Sequence, residues 1–412
     1  MRILGFSIFV VLMAGTSPAR ADDWSAVMHD PQNTNASTST LDPTTLVKKW
    51  SSPSGYRNPL IVGNSVYAID ATNTFNQNTA TISAFDISTG AVKWSTPVTG
   101  VWSPALAYGG GYLVYTGNNQ IFVLDAATGA FKYSAPVLAD IGDVVTVAQD
   151  TTTSQPVAYV SDGRGTLTAE RLGTAGATRI WAVTGIAAGD AAPSVAGNLL
   201  LTADVDYRYA IDRTTGVVTP FKSGPSSGGS GQTIAVDLTH NRFYYGRLGT
   251  LTAYGISNNA VTQLWEVQAH VSGGVSVAPD GTIYGADNGT LARMDPSDGH
   301  IITSVGGTFS NANVPILSNG YVWEFGPGLI SIETNIYRID DLSLVKTIPG
   351  VFGYPGTIIS GKSALDDTHF IFDYGNSSSN PGFIVFEGTA VIPEPQLFGF
   401  VTLLVACRRM RK

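Results

Sequence analysis

Cysteine and charged residues are both scarce in this sequence. One cysteine in 412 residues cannot form a disulfide within a single chain, which excludes the small folds that depend on disulfides. Charged side chains make up 13% of the chain, against the roughly 25% usual for soluble domains. The surface must therefore consist largely of Thr, Ser, Asn and Gly, which suit exposed strands and turns better than exposed helices. Because 43% of the residues are apolar, a disordered chain is also excluded, and we predict a β-rich fold.

The compact motifs of common enzyme classes are absent as well. The sequence contains no nucleophile elbow, no phosphate loop and no His-Glu-x-x-His helix. Gly224–Gly231 is rich in glycine but lacks the terminal lysine of a phosphate loop, so we interpret it as a flexible connecting loop. We therefore predict no catalytic residue, no metal site and no bound cofactor.

Scattered polar groups leave a metal site as the weaker alternative. The five histidines occur singly along the chain, at His29, His240, His270, His300 and His369. They have no metal-ligand spacing, although they could converge at a central channel. Two acidic pairs could offer oxygen ligands to Ca²⁺, namely Asp204 with Asp206 and Asp366 with Asp367. Neither pair lies in a spaced acidic loop, and we interpret both as turn residues.

The first 21 residues have the features of a secretory signal peptide. Arg2 supplies the positive start, Ile3–Ala14 the apolar stretch, and Ala19-Arg20-Ala21 the small-x-small cleavage pattern. The apolar stretch is shorter than the ~18–20 residues that a membrane span needs. We expect signal peptidase to cleave after Ala21 and the protein to be exported.

Residues 391–412 form a tail with three parts. Pro393, Glu394 and Pro395 are followed by an apolar run, Leu397–Cys407, and then by basic residues that end at Lys412. An apolar run closed by cations is a stop-transfer arrangement, although eleven residues are few for a stable span. The tail resembles the PEP-CTERM sorting signal of bacterial exported proteins. The resemblance implies processing at Pro-Glu-Pro by an exosortase, transient membrane contact, and sorting to the cell envelope, cell surface or extracellular matrix.

The part of the chain between these two ends is strongly acidic. Six of the 23 basic residues and none of the 31 acidic ones lie in residues 1–21 and 396–412, which leaves residues 22–395 with a net charge of −14. A body with this charge repels nucleic-acid phosphate and anionic lipid. Nucleic-acid binding is therefore excluded as its main task.

A repeat of about 43 residues fills this body. The clearest copies are Ala84–Trp94 and Val123–Tyr133, and marker positions recur at 42, 86, 125, 171, 212, 255, 295 and 340. The residues that define the repeat are Asp42, Trp50, Asp86, Gly90, Trp94, Asp125, Gly129, Tyr133, Trp181, Asp212, Gly216 and Trp265. The period matches the four-stranded blade of a β-propeller, and the β-branched and aromatic runs between the markers exclude helical repeats.

The chemistry of the motif explains its spacing. An aspartate at a strand end can accept bonds from backbone N–H groups of the following turn, and Thr or Ser supports the same turn. Glycine then takes the positive φ that closes a short hairpin. We expect the aromatic residue four positions later to pack between neighbouring blades.

The marker intervals predict eight blades, with seven as the alternative. Seven intervals account for seven blades, and the leftover strands at the two ends of the body pair to form the last one. Its outer strand is predicted at Leu46–Ser51, and its other strands near Thr357–Ser360, His369–Asp373 and Phe383–Glu387. Closing the ring in this way removes open sheet edges.

The motif A-x-D-x-x-T-G-x-x-x-W resembles the repeat of PQQ-like propellers, the fold of quinoprotein dehydrogenases and of many non-enzymatic exported proteins. The opening residues Trp24 and His29 to Thr34 are similar to the first segment of many such proteins. The resemblance covers roughly residues 24–388 and weakens after Gly299, and we predict a single propeller domain at residues 22–390. Members that bind the quinone use a carboxylate base, a Ca²⁺ ion and often an adjacent cysteine pair. Here Cys407 is the only cysteine and lies in the tail, and the tryptophans occupy repeat positions.

We predict an exported, non-enzymatic propeller that binds an unknown protein or polysaccharide through loops at one mouth of the ring. The alternative is an enzyme acting on extracellular carbohydrate at the central channel, and a quinone-dependent dehydrogenase is less favoured. Aromatic residues that could stack on sugars are Tyr207, Tyr209, Trp323 and Tyr354. A lipoprotein scaffold of outer-membrane assembly shares the fold, but that role requires a cysteine directly after the signal, where the chain has Asp22.

Overall fold

The computed structural model is an eight-bladed β-propeller, which confirms the predicted fold class and excludes seven blades. Each blade is a four-stranded antiparallel sheet. The structure describes residues 23, 25–26, 29–70, 79–137, 144–161, 165–186, 192–203, 207–223, 234–247, 249–269, 271, 274–287, 289–306, 314–327, 331–352, 363–373 and 382–390. Within these residues the helical structure is one 3₁₀ turn, Pro43–Thr45, and no helix is long and apolar enough to cross a membrane.

Strand β1, Val47–Ser51, comes first in the chain but belongs to the last blade. Blade 1 contains β2 (Tyr56–Val62), β3 (Ser65–Asp70), β4 (Ala80–Asp86) and β5 (Val92–Val98). Blade 2 contains β6 (Val101–Gly109), β7 (Tyr112–Gly117), β8 (Gln120–Asp125) and β9 (Phe131–Pro136). Blade 3 contains β10 (Val144–Gln149), β11 (Pro156–Ser161), β12 (Thr166–Leu172) and β13 (Ala177–Thr184). Blade 4 contains β14 (Ser194–Ala196), β15 (Leu199–Ala203), β16 (Tyr207–Asp212) and β17 (Val218–Ser223).

The second half of the ring is built in the same way. Blade 5 contains β18 (Ile234–Asp237), β19 (Arg242–Arg247), β20 (Thr250–Ser257) and β21 (Ala260–Gln268). Blade 6 contains β22 (Ser276–Val277), β23 (Ile283–Asp287), β24 (Thr290–Met294) and β25 (Ile301–Gly306). Blade 7 contains β26 (Ile316–Ser318), β27 (Tyr321–Pro327), β28 (Ser331–Arg338) and β29 (Leu344–Phe352). Blade 8 combines β30 (Ala364–Leu365), β31 (His369–Asp373) and β32 (Phe383–Glu387) with β1.

Pairing of the two chain ends closes the ring at blade 8. Strand β1 runs antiparallel to β32, with Val47 opposite Glu387 and Ser51 opposite Ile384. This is the closure predicted from the marker arithmetic, and β31 and β32 have the predicted bounds. The inner strand of the blade lies at Ala364–Leu365, whereas the run expected near 357–360 lies outside the described residues.

Within each blade the strands run from the channel to the outside of the ring. First strands of neighbouring blades contact one another around the channel, as β2 does with β6 and β18 with β22. Fourth strands alternate between exposed and partly buried residues, as in β5 and β25. Seven apolar clusters fill the ring, most of them spanning two neighbouring blades, such as the one that joins Leu60 of blade 1 to Leu106 of blade 2. The core is therefore made chiefly between the sheets.

Candidate functional site

The turns that carry the repeat motif join the third and fourth strands of a blade and lie on one face of the ring. In blade 1 this turn joins β4 to β5. In blade 1, Asp86 Oδ1 accepts bonds from Thr89 N at 3.0 Å and Thr89 Oγ1 at 2.8 Å, and Gly90 has φ +73°. In blade 2, Asp125 and Thr128 make the same two bonds, at 3.0 and 2.9 Å. These bonds lower the pKa of both carboxyl groups. Their oxygens are thus engaged within their own turns.

The aromatic residue of the repeat joins one blade to the next. Each of four tryptophans donates its indole N–H to a carbonyl oxygen in the following turn: Trp50 to Ile87 at 2.7 Å, Trp94 to Ala126 at 3.0 Å, Trp181 to Arg213 at 2.8 Å and Trp265 to Pro296 at 3.0 Å. The ring of Trp94 lies so close to Gly129 that an added Cβ would stand 2.4 Å from it. Gly90, Gly216 and Gly299 meet the preceding tryptophan in the same way. The turn glycine therefore provides both the positive φ and the space for the indole.

An N-terminal segment crosses the same face, at the ends of the innermost strands. We call residues 29–41 the strap, and the face on which it lies the strap face. Its backbone carbonyls accept bonds from one inner strand after another: Pro31 from Val195 in blade 4, Gln32 from Val236 in blade 5, Thr34 from Val277 in blade 6 and Asn35 from Leu317 in blade 7. Thr40 N then bonds to Asp367 Oδ1 of blade 8 at 2.9 Å. Just before the strap, Ser25 O accepts a bond from Tyr108 N of blade 2.

Two asparagines fix the path of the strap. Asn33 and Asn35 have φ values of +55° and +50°, a left-handed conformation that asparagine tolerates better than most residues. Asn33 Nδ2 donates to Ser194 Oγ at 2.6 Å, and Asn35 Nδ2 donates to Pro315 O at 2.5 Å. Both side chains are buried. The strap is therefore an integral part of the ring, bonded across a sequence separation of more than 150 residues.

Two depressions open on the strap face. One of about 440 Å³ lies between the start of the chain and blades 2 and 3, and its lining includes Asp23, Asp30 and Tyr108. The other, of about 250 Å³, lies between blades 1 and 8, and its lining includes Asp366, Asp367 and His369. The carboxyl oxygens in both are bonded to protein groups: Asp30 to Thr34, and Asp366 to Thr368 N and His369 N. The interpretation of Asp366 and Asp367 as turn residues agrees with these bonds.

The histidines of the described residues do not converge on one site. His29, His240, His300 and His369 each contact an aspartate one to three residues away in sequence. A group with three ligand atoms within 4.8 Å of one another does occur, at Asp295, Asp298 and His300, but Asp298 and His300 are exposed, and Asp295 and Asp298 each bond within their own turn. His270, Asp204 and Asp206 lie outside the described residues.

Of the aromatic residues suggested for sugar stacking, Trp323 and Tyr209 are buried in the structure. Trp323 is fully buried, where it packs against Phe370 of blade 8 and donates to Ser318 Oγ, so it cannot meet a ligand. The burial follows from its place on the second strand of blade 7, inside the ring. Tyr207 is 45% exposed and stacks on the buried Tyr209. Tyr354 lies outside the described residues.

Sequence analysis did not predict the buried charged groups. Glu324 of blade 7 has no exposed surface, and burial raises the pKa of its carboxyl group well above the ordinary value. Among the residues that the structure describes, neither of its carboxyl oxygens has a hydrogen-bond partner within bonding geometry. Arg57, on the inner strand of blade 1, is 5% exposed, and burial lowers its pKa while the charge of Asp373 acts in the opposite direction. A single charged residue in an apolar strand is the sequence signal at Glu324.

The face opposite the strap carries the connections between blades. At six of the eight junctions, seven to eleven residues separate the outermost strand of one blade from the innermost strand of the next. Blades 4 and 5, for example, are joined by residues 224–233, and blades 7 and 8 by residues 353–363. Hairpins between first and second strands, on the strap face, contain two to six residues. Most of the longer connections, Gly224–Gly231 included, fall outside the described residues.

The described residues do not fit a quinone cofactor of the kind used by dehydrogenases with this fold. A cysteine pair is absent from the sequence, whose one cysteine is Cys407. The four repeat tryptophans are engaged between blades and offer no free ring to a planar cofactor. We therefore derive no chemical step through such a group.

Solved structures that superpose on this chain include two dehydrogenases and a BamB protein. BamB from Moraxella catarrhalis superposes with a TM-score of 0.58 at 12% identity, over 84% of this chain and 99% of that one. The quinohemoprotein alcohol dehydrogenase ADHIIG from Pseudomonas putida HK5 gives 0.58 at 13% identity, over 91% and 81%. A europium-containing methanol dehydrogenase gives 0.55 at 14% identity, over 89% and 98%. At these identities the likeness establishes the fold alone.

Sequence comparison is more specific about the family. No curated protein is similar enough in sequence to count as a relative. Residues 78–305 match the family described as outer membrane protein assembly factor BamB, and this segment is more than half of the chain. It begins in blade 1 and ends in blade 6, so it holds most of the repeats. The chain therefore belongs to the family described as outer membrane protein assembly factor BamB.

Proposed function

We propose that the protein is an exported binding or scaffold protein of the cell envelope or cell surface, which holds a protein or polysaccharide on the face opposite the strap. The observation that carries this proposal is the asymmetry between the two faces. Long connections on a rigid ring provide the variable surface on which propellers and other scaffolds place their binding residues. On the strap face the turns are short, and the strap is bonded to the inner strands.

Export and sorting complete the proposal. The signal peptide at residues 1–21 would direct the chain across the membrane, and the tail at residues 391–412 would hold it there until an exosortase processes it at Pro393, Glu394 and Pro395. An assembly role of the kind named for the family would need a lipid-bearing cysteine after the signal. Because Asp22 stands there, we favour attachment through the tail.

The experiment shortens one connection on the proposed ligand face and changes one turn on the strap face as a control. Residues 224–233 are replaced by a two-residue linker as short as Thr99-Gly100, which joins blades 1 and 2. As a control, the strap-face turn at residues 173–176 is replaced by a different four-residue turn. Both proteins are sedimented with extracellular polysaccharide and with solubilised envelope protein from the native host.

We expect the first change to weaken binding about tenfold or more, the effect of losing 1.4 kcal/mol, and the control to bind as the parent does. Equal loss in both proteins, or loss in the control alone, would contradict the proposed ligand face. Release of shortened sugar chains during the assay would instead support the alternative of a carbohydrate-active enzyme.

A further inference from the structure

One arc of the outer edge of the strap face combines exposed apolar residues with lysines. The outermost strand of each blade begins at this edge. In four consecutive blades it begins with an exposed apolar residue that is followed within two positions by lysine: Leu344 and Lys346 in blade 7, Val47 with Lys48 and Lys49 in blade 8, Val92 and Lys93 in blade 1, and Phe131 and Lys132 in blade 2. We call these residues the lysine arc. Val47 is 67% exposed and Phe131 56%.

The other half of the ring lacks this combination. Blades 4, 5 and 6 begin their outermost strands with Val218, Ala260 and Ile301, and none is followed by lysine within two residues. Blade 3 begins with Ala177, and its Arg179 is bonded to Glu170. Five of the eight lysines of the whole chain lie in the arc. A repeat alone would place similar residues in all eight blades, so the arc is a departure from the repeat.

Charge in the arc differs from the charge of the body as a whole. Lys93 lies 3.8 Å from Asp86, Lys132 lies 3.3 Å from Asp125, and Lys49 contacts Glu387. Lys48 is exposed and makes no ion pair with any described residue. Asp86, Asp125 and Glu387 are therefore paired with lysine, although residues 22–395 carry a net charge of −14. The pairing reduces repulsion from an anionic lipid surface at these positions, and the exposed apolar side chains are free to make contact.

The tail leaves the ring inside this arc. Ala390 pairs with Leu41 at the end of the strap, and Thr389 N donates to Thr45 Oγ1 at 2.9 Å, two residues before Val47. Six residues, 391–396, then precede the apolar run that starts at Leu397. Fully extended, six residues span about 20 Å. A tail inserted in a membrane would therefore hold blade 8 within about 20 Å of the lipid surface.

We infer that the lysine arc is a membrane-contact surface, which rests on the lipid bilayer into which the tail inserts. The inference depends on the tether in the proposed function. Val47, Val92 and Phe131 enter the interfacial region, while the exposed Lys48 extends toward lipid phosphates. The arc occupies one side of the ring, so the ring stands with blades 7, 8, 1 and 2 toward the membrane. The face opposite the strap then stays accessible to a ligand.

The test measures lysine acetylation in the full chain by mass spectrometry. The protein is compared in detergent and after reconstitution into vesicles of phosphatidylcholine with a minority of phosphatidylglycerol. Lys222, on the outermost strand of blade 4, is the internal control. We expect Lys48, Lys93 and Lys132 to react several-fold more slowly in vesicles, and Lys222 to react equally in both.

Matched variants separate lipid contact from folding. Val47→Ser/Val92→Ser/Phe131→Ser removes apolar groups from the arc, whereas Val217→Ser/Ile301→Ser removes equally exposed groups from blades 4 and 6. The first variant should lose most of the protection of Lys93 and Lys132, and the second should keep it. Circular dichroism checks that both remain folded.

The contradicting outcomes are distinct. Protein that sediments with vesicles while its arc lysines react as in detergent would overturn the contact but leave the tether. Protein that stays in solution would overturn the tether, and with it both the proposed attachment and the contact. Protection that rises with protein concentration in detergent would assign the arc to self-association and overturn the inference.

Discussion

At the scale of single residues, the turn glycine explains how a repeat that varies in sequence still forms regular blades. Gly129 has φ +71° and lies under the indole of Trp94. A side chain at position 129 is strained by the positive φ of the backbone. It also displaces Trp94, which packs blade 1 against blade 2. Gly111 has φ +85°, but an added Cβ would meet nothing within 4 Å. The two positions therefore separate backbone strain from lost packing.

We expect Gly129→Ala to lower the free energy of unfolding by about 2–4 kcal/mol, because strain and overpacking add. Gly111→Ala should cost about 1 kcal/mol, which is the strain alone. Urea unfolding of both variants measures the difference. Equal losses would mean that the tryptophan contact contributes little.

The turn aspartates make stability depend on acid. Bonds donated by the threonine side chains of their turns, Thr89 and Thr128, lower the pKa of Asp86 and Asp125. A carboxyl group whose pKa is lowered in the folded state stabilises the fold above its unfolded value of about 4, and this contribution is lost as the pH falls through the folded value. We expect the melting temperature to fall between pH 6 and pH 3. The variant Asp86→Asn/Asp125→Asn keeps the acceptor oxygens without the titration, so its melting temperature should fall less.

Glu324 changes the stability with pH in the opposite direction. Burial raises the pKa of its carboxyl group, so the folded state keeps the proton and loses relative stability as the pH rises above the unfolded value of about 4.3. Glu324→Gln removes the titration at nearly constant shape. We expect the variant to be more stable than the parent by about 1–3 kcal/mol at pH 8 and about equal to it at pH 4, as measured by urea unfolding at both pH values. A gain that is independent of pH would refute this account.

At the scale of elements, the strap turns eight separate sheets into one closed unit. Its bonds reach the inner strands of blades 4 to 7 and the hairpin of blade 8, while β1 completes blade 8 from the outside. Residues 29–51 thus close the ring twice, at the channel and at the rim. Loss of the strap would leave the inner-strand N–H groups of four blades without these partners.

The two asparagines of the strap provide the test at this scale. Asn33→Ala/Asn35→Ala removes buried bonds to Ser194 and Pro315 and strains two left-handed residues, so we expect a loss of about 3 kcal/mol and faster proteolysis of the strap. Asn258→Ala, in an exposed turn with φ +51°, is the matched control and should cost about 1 kcal/mol. A double variant no less stable than this control would show that the strap merely lies on the ring.

Blades were predictable from the sequence, whereas the strap was not. The repeat fixes Asp86, Gly90 and Trp94 in local turns, and its period gives the number of blades and the closure through β1. The strap has neither a repeat nor an alternating apolar pattern, and its partners lie more than 150 residues away in sequence. The inner strand of blade 8 at Ala364–Leu365 was not predicted, because two residues carry no recognisable strand pattern.

The candidate site was predictable only in outline. Sequence reasoning placed binding at one mouth of the ring but did not identify which one. Trp323 was suggested for sugar stacking because the sequence around a single tryptophan does not reveal which face of its strand is buried. The lengths of the blade-to-blade connections, which distinguish the two faces, become visible only when the strand bounds are known.

At the scale of the whole molecule, both ends of the described chain lie on the strap face. Asp23 Oδ1 accepts a bond from Gly63 N beside blade 1, and Ala390 pairs with Leu41 beside blade 8. A protein attached through either end would present its other face outward. The proposed function therefore assigns attachment to the strap face and ligand binding to the opposite face. It applies to an exported protein that is processed at both ends.

Export and processing at both ends can be tested by intact-mass analysis. The protein is recovered separately from the envelope and from the culture medium of its native host. We predict that the protein in the envelope fraction starts at Asp22 and that its processed form ends at or near Pro395. Recovery from the envelope only of a chain that still carries Arg408 to Lys412 would mean that the tail is an anchor and not a sorting signal. Absence of the protein from both fractions, with a chain that begins at Met1 recovered from the cytoplasm, would contradict export and with it the proposed function.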